Sequence, residues 1–170
     1  MVSIFLSNRW HMMKRISVKI LEYGEDILRS GKLDAEKEFI QHGTVSCYDH
    51  SLRVANISLG IARVVPFWVD KKSLIRGALL HDYFLYDWHV PDKTHRLHGI
   101  FHARTALKNA GRDFKLNRIE QDIIKKHMFP LTITPPKYRE SWIDCCADKL
   151  CAAEETVSGC KLFFYRLLLG

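Results

Sequence analysis

The sequence lacks the features that mark membrane-spanning, repetitive or low-complexity proteins. Its 170 residues include only 5 prolines and 9 glycines, and no internal repeat or low-complexity tract is found. The apolar runs over residues 2–6 and 162–169 are too short to cross a bilayer. The first run precedes Arg9 instead of following a basic segment, unlike a secretory leader. We therefore expect neither a leader nor a membrane span.

The cysteines do not form a recognisable framework. There are 5 of them, an odd number, and no pair has the Cys-x-x-Cys spacing of a structural zinc site or a redox couple. They are typical of reduced, mostly buried thiols. We therefore expect a cytoplasmic protein.

Positive charge exceeds negative charge, with 26 Lys and Arg against 19 Asp and Glu and a net charge of +7. These residues are spread along the chain, so they produce a positive field without a basic arm. A small anionic substrate and a plain solvated basic surface both explain this charge. A nucleic-acid partner is not expected, because no basic stripe accompanies the aromatic residues.

Length and patterning predict an all-α fold. A chain of 170 residues with 47% hydrophobic content can bury one core and is too short for two ordinary domains. We expect residues 1–13 to form an N-terminal extension that need not be ordered, and residues 14–170 to form a single helical bundle. No segment gives a convincing strand pattern. The predicted helices cover residues 14–29, 34–41, 48–65, 71–85, 99–110, 118–127 and 139–155, with a last one from residue 161.

Helix boundaries rest on capping and breaking residues. Asp70 is a predicted N-cap, and Asn117 with Glu120 forms a variant capping box. Gly111 is a predicted C-terminal stop. Segments 86–97 and 129–136 contain proline and are predicted loops; the second could serve as a lid or as a plain connector.

Several metal-type ligands are predicted to point inward from five helices, with His81 and Asp82 on the same one. One such residue would most simply be a hydrogen-bonded core residue. Burying many ionisable groups together is costly without compensation, and a bound metal compensates them most simply. An ion with three or four protein ligands keeps positions open for water and substrate, as in a catalytic site. The candidates are His50, His81, Asp82, His102, His127 and Asp148.

Three short segments carry a family resemblance. They are Asp-His-Ser-Leu-Arg-Val-Ala over residues 49–55, Leu-His-Asp over residues 80–82 and Ala-Asp-Lys-Leu over residues 147–150. Together they resemble the His…His-Asp…Asp signature of HD-domain metal-dependent phosphohydrolases, and the match spans roughly residues 40–155. The segment over residues 127–149 resembles small stand-alone bacterial members, and the chain lacks the Gly-Tyr-Pro extension of cyclic-dinucleotide phosphodiesterases.

The resemblance implies that His50, His81, Asp82 and Asp148 bind one divalent ion of manganese, iron, cobalt, magnesium or zinc. Some members of the family hold a second ion through two further histidines, and His102 and His127 stand at matching places. These members usually have proline after the first of the two, whereas this chain has Ala103. His98 competes with His102 for this role, and we favour His102.

The implied reaction is hydrolysis of a phosphomonoester or phosphodiester, such as a nucleotide, by metal-activated water. Asp82 and His81 are the predicted catalytic pair, with Asp82 orienting or deprotonating the water. Arg53 and Lys149 are candidate phosphate contacts, although each could equally be an exposed charge. Loop histidines could also touch the substrate: His89, His95 and His98.

Two other functions use the same ligand set. Some HD-fold proteins hold two irons and carry out oxygen-dependent cleavage. A non-catalytic binding module could keep the metal for stability alone. The sequence leaves both alternatives open, and it is compatible with a homo-oligomer.

Overall fold

The computed structural model describes residues 17–42, 45–88 and 98–169. These residues are mostly helical, with one small two-stranded sheet, so the all-α prediction is confirmed. The elements are α1 (Val18–Tyr23), α2 (Glu25–Arg29), a 3-10 helix (Lys32–Lys37), β1 (Ile40–His42), β2 (Val45–Ser46), α3 (Cys47–Val64), α4 (Lys71–Leu80), α5 (His98–Asp113), α6 (Arg118–Lys126) and α7 (Arg139–Leu169).

The N-terminal region differs most from the prediction. The helix predicted over residues 14–29 is divided at Gly24 into α1 and α2. A Cβ atom at Gly24 would lie 2.5 Å from Leu79 Cδ1, so a larger residue here would require the Leu79 side chain of α4 to shift. The helix predicted over residues 34–41 is also wrong, since its place is taken by the 3-10 helix and by β1. Strand β1 pairs antiparallel with β2, Ile40 opposite Ser46.

Helices α3 and α4 begin as capping rules require. The hydroxyl of Ser46 accepts a hydrogen bond from the backbone N–H of Asp49, and the carboxylate of Asp70 accepts one from Ser73. Helix α4 ends at Leu80, earlier than predicted, and Leu85 lies in a non-helical segment with a φ of 60°. The C-terminal part of the helix predicted over residues 71–85 is therefore wrong.

Helices α5 and α7 are longer than predicted. Gly111 is no stop, because α5 continues to Asp113. The capping box of Asn117 and Glu120 is confirmed, with both reciprocal hydrogen bonds present. The two helices predicted after residue 139 are one continuous helix, α7. The helix propensity of the surrounding residues therefore outweighs the unfavourable propensity of the single glycine at position 159.

The core lies between α3, α4, α6 and α7, which pack against one another. Gly77 allows the closest approach, because a Cβ atom there would lie 2.5 Å from the Ile123 Cδ1 atom of α6. This packing brings the C-terminal ends of α4 and α6 together. The fully buried residues around it include Leu74, Ile75, Leu79, Leu80, Ile123 and Ile124.

Across the ranges that are described, no helix is long and apolar enough to cross a membrane. The predicted extension over residues 1–13 lies outside the described residues, as do the loop histidines His89 and His95. The backbone of His98 begins α5, but its side chain is not described.

Candidate metal centre

The predicted ligands converge from five helices on one buried region. His50 lies on α3, and the pair His81 and Asp82 follows the last residue of α4. His102 lies on α5, while His127 caps the C-terminus of α6. Asp148 lies on α7 and is the most exposed of the six, at only 8%. Each side chain is therefore buried, and each residue lies either within a helix or directly after its end.

One group of ligand atoms comprises His50, His81 and Asp148, which offer atoms within 4.8 Å of one another. Asp148 Oδ1 lies 3.2 Å from His50 Nε2 and 3.7 Å from His81 Nε2. Two imidazoles and one carboxylate therefore face a common point.

A second group comprises Asp82, His102 and His127, again with atoms within 4.8 Å of one another. The Nε2 atoms of His102 and His127 are 2.8 Å apart. Asp82 Oδ1 lies 3.3 Å from His102 Nε2 and 3.5 Å from His127 Nε2. The structure thus brings His102, the histidine favoured over His98, together with His127.

Asp82 stands between the two groups. Its Oδ1 atom faces His102 and His127, whereas its Oδ2 atom lies 3.3 Å from His81 Nε2 and 3.9 Å from His50 Nε2. One carboxylate therefore presents a different oxygen to each group.

Hydrogen bonds on the outer nitrogens orient the histidine rings. The Nδ1 atom of His81 lies 2.8 Å from the carbonyl oxygen of Ala78, and that of His127 lies 2.9 Å from the carbonyl of Ile124. A carbonyl oxygen can only accept, so both Nδ1 atoms carry the proton and donate it. In the neutral rings the lone pair is consequently on Nε2, which points into the cluster.

The charges of the cluster favour ionised carboxylates. Burial by itself would raise the pKa of Asp148, but the hydrogen bond with His50 and the nearby His81 ring hold it below its ordinary value. Burial lowers the pKa of His127 to about 3, so this ring is neutral. Burial would also lower the pKa of His50, but its bonds to Asp148 and Glu155 raise that pKa to about 9. A cation entering the first group would therefore displace a proton from His50.

These residues fit a divalent metal. Two buried atoms, His81 Nε2 and Asp82 Oδ1, have no hydrogen-bond partner among the described residues. Both atoms point at other ligand atoms. Imidazole nitrogen and carboxylate oxygen are donors that borderline and hard divalent ions prefer. Such an ion would compensate polar atoms that are otherwise buried at a cost.

Two buried carboxyl groups were not among the predicted ligands. Asp144 is fully buried, burial raises its pKa to about 7, and neither oxygen has a hydrogen-bond partner within the described ranges. It lies one helical turn before Asp148, and helical spacing predicts that both share one face of α7. Glu36, in the 3-10 helix, is equally buried, and burial with the charge of Asp82 raises its pKa well above the ordinary value. No sequence signal pointed to Glu36.

Two further residues, Gln41 and Glu155, contact the ligands and were also missed. The side-chain amide of Gln41 donates a hydrogen bond to Asp82 Oδ2, and the thiol of Cys47 donates one to Gln41 Oε1 over 3.3 Å. Gln41 lies on β1, in the segment predicted as helix. Glu155 contacts His50, and its position seven residues after Asp148 places both on one face of α7.

The predicted phosphate contacts have protein partners. Arg53 pairs with Glu154 and Glu155 at 2.7 and 3.1 Å. Lys149 Nζ donates hydrogen bonds to the carbonyl oxygen of His127 at 3.0 Å and to the sulfur of Cys145 at 3.1 Å.

The segment between α6 and α7 is attached to both helices. The thiol of Cys145 donates to the carbonyl oxygen of Phe129 over 3.2 Å, and the Phe129 ring packs edge-on against Trp142. At its other end, Asp122 accepts a hydrogen bond from the backbone N–H of Lys137 at 2.8 Å. These contacts connect the segment to the helices that carry His127 and Asp148.

The fold and the ligand groups define an all-helical protein with buried clusters able to hold a metal. A family model described as HD domain matches residues 47–153, more than half of the chain. The chain therefore belongs to the HD-domain family, whose members are generally metal-dependent hydrolases of the phosphohydrolase type. No curated protein and no solved structure matches the chain.

Proposed function

We propose that this protein is a metal-dependent phosphohydrolase that cleaves a phosphomonoester or phosphodiester, with nucleotides among the candidate substrates. The observation that carries the proposal is the position of Asp82, which presents one oxygen to each ligand group. A shared carboxylate between two sets of ligands suits a pair of divalent ions. Membership of the HD-domain family supports the same class of reaction.

The ligand groups assign residues to each ion. His50, His81 and Asp148 would hold one ion, and His102 and His127 would hold the other. Asp82 would contribute to both. Manganese, iron, cobalt, magnesium and zinc all accept these donors. When bound, such ions supply Lewis acidity that acidifies water and offsets the negative charge of a phosphate group.

The chain's own residues would orient the reactants and handle the proton. Asp82 would orient the attacking water or accept its proton, and the amide of Gln41 on Oδ2 would keep the carboxylate in one rotamer. His81 would stay fixed through its hydrogen bond to Ala78. Burial of these groups excludes bulk water, which strengthens every electrostatic contact inside the site.

The substrate we propose is a small anionic phosphorylated molecule. The net charge of +7 favours the approach of an anion. Lys149 and Arg53 remain the candidate phosphate contacts. Lys149 is an exposed residue, and to reach a substrate it would have to leave the His127 carbonyl oxygen.

The proposed location is the cytoplasm. Within the described ranges Cys47, Cys145, Cys146 and Cys151 are free thiols. Free thiols are typical of a reducing compartment. Fractionation of native cells would test the location.

The test is a screen of generic and nucleotide phosphate substrates with manganese, cobalt, magnesium and iron. We expect phosphate release by the wild type and a loss of about 100-fold or more in Asp82→Ala, since metal-centred catalysis depends on this carboxylate. Asp34→Ala, which removes an exposed carboxylate outside the cluster, should keep wild-type activity. Equal activity in Asp82→Ala and wild type would refute the mechanism.

The same preparations separate the alternatives. A mixed-valence di-iron spectrum with oxygen consumption and no phosphatase activity would replace the hydrolase with a di-iron oxygenase. A non-catalytic binding module predicts that Asp82→Ala lowers stability while the wild type has no activity to lose.

A further inference from the structure

The carboxylate of Glu155 lies between His50 and Arg53. Its Oε2 atom is 2.9 Å from His50 Nδ1, and its Oε1 atom is 3.1 Å from Arg53 Nη1. The side chains of Glu155 and His50 are both 0% exposed. Glu155 therefore connects a predicted metal ligand on α3 to a basic residue one turn further along the same helix.

His50 differs from its neighbours in the partner of its outer nitrogen. His81 and His127 donate their Nδ1 protons to backbone carbonyls of their own helices. His50 instead faces a carboxylate contributed by another helix, α7. A carboxylate acceptor increases the basicity of the opposite nitrogen more than a neutral carbonyl does, because it stabilises positive charge on the ring.

Arg53 compensates the charge of this buried carboxylate. Its guanidinium contacts Glu155 through Nη1 and the exposed Glu154 through Nη2. A buried carboxylate without such a partner would be costly. Arg53 thus holds Glu155 in place, and one of its two ion pairs is with this carboxylate.

We propose that Glu155 is a positioning residue for the metal centre: it fixes the ring and tautomer of His50 and thereby sets the metal affinity of the group His50, His81 and Asp148. The proposal rests on the proposed function, since it requires that this group binds an ion. Glu155 lies beyond the residues matched by the family model, 47–153, so membership of the family does not itself assign this role.

The test measures Co²⁺ binding to the full chain after chelation, by calorimetry and by the visible spectrum of the bound ion. We expect Glu155→Ala to weaken binding of one ion by about 10- to 100-fold, the usual effect of removing a partner behind a ligating histidine. Glu155→Gln keeps an acceptor oxygen but loses the charge, so its affinity should lie between those of Glu155→Ala and wild type. A shifted Co²⁺ spectrum in these variants would report a changed ligand field, which a purely structural role would not produce.

The matched control is Glu154→Ala, which removes the neighbouring exposed carboxylate that contacts the same Arg53. It should bind Co²⁺ within about twofold of wild type, because it leaves the Nδ1 partner of His50 intact. If Glu155→Ala fails to fold, Glu155→Gln becomes the deciding variant. We then expect its Co²⁺ affinity to be lower than that of wild type by about threefold or more.

The outcomes separate this proposal from the one it rests on. Wild-type affinity and spectrum in folded Glu155→Gln and Glu155→Ala would overturn the role of Glu155 and leave the metal centre standing. No Co²⁺ binding by the wild type would overturn both proposals together.

Discussion

The hydrogen-bond partner of each outer ring nitrogen determines which nitrogen of the histidine faces the cluster. The outer nitrogens of His81 and His127 are occupied by backbone carbonyls and that of His50 by Glu155. All three rings therefore direct Nε2 at the carboxylates of Asp82 and Asp148. This is the orientation in which neutral imidazoles bind a cation.

Gly77 is the residue on which the convergence of α4 and α6 depends. We predict that Gly77→Ala destabilises the fold by about 1–3 kcal/mol, because the added methyl group meets the Ile123 side chain at 2.5–2.9 Å. This cost exceeds the gain of about 1 kcal/mol that alanine brings to a helix interior. Chemical denaturation of the metal-free protein measures the difference.

The control is Gly60→Ala on α3, where no described atom lies within 4 Å of the added methyl group. There the helix propensity of alanine acts alone, and stability should rise by about 0.5–1 kcal/mol. If Gly77→Ala is as stable as wild type, the close approach of α4 and α6 does not constrain the fold.

At the scale of elements, Asp122 joins the end of α6 to the start of α7. Its Oδ2 atom accepts hydrogen bonds from the Lys137 backbone N–H and the Ser141 hydroxyl, both at 2.8 Å, and Oδ1 pairs with Lys126 at 2.8 Å. The end of the segment that follows His127 and the start of α7 are therefore held against α6.

We predict that Asp122→Asn lowers the free energy of unfolding at pH 7 by about 1–3 kcal/mol, the cost of weakened charge-assisted hydrogen bonds. Burial alone would raise the pKa of Asp122, but Lys126, the Lys137 N–H and Ser141 lower it. A lowered folded-state pKa adds stability above the unfolded value of about 4, and that stability is lost as pH falls further.

The deficit of Asp122→Asn should consequently shrink below pH ~4. Denaturation at a series of pH values tests this, with Asp34→Asn, an exposed carboxylate, as the control. A deficit in Asp122→Asn that stays constant across the series would show that the charge of Asp122 contributes nothing.

The helices that carry ligands were largely predictable from the sequence, because periodicity and capping are local signals. Asn117 with Glu120 identified the start of α6, and Asp70 identified that of α4. Not every boundary was predicted: the first helix is divided at Gly24, where an added Cβ atom would lie 2.5 Å from Leu79 Cδ1. No local pattern predicts that contact.

The candidate site was predictable from the sequence to a similar extent. Helical phase placed His50, His102 and Asp148 toward the interior, and all three are buried. Gln41 could not be found in this way, since its contact with Asp82 joins positions far apart in the chain. Helical phase places Glu155 on the face of Asp148, but it does not show the contact with His50. Periodicity identifies a buried face, but the partners on that face depend on how the helices pack.

At the scale of the whole molecule, the candidate centre exists only when the bundle is assembled. Its ligands come from α3, α5 and α7 and from the ends of α4 and α6. Binding an ion at such a site stabilises the folded state relative to the unfolded chain, which has no preformed site. The metal is therefore expected to act on the stability of the bundle as well as on the reaction.

The most direct test is anomalous diffraction from crystals of the full chain loaded with Mn²⁺. The account predicts one anomalous peak among His50, His81 and Asp148 and a second among Asp82, His102 and His127, the two groups of converging atoms. Both peaks should be absent after chelation. Well-ordered density for these six side chains in Mn²⁺-loaded crystals, with no anomalous peak between them, would contradict the metal centre.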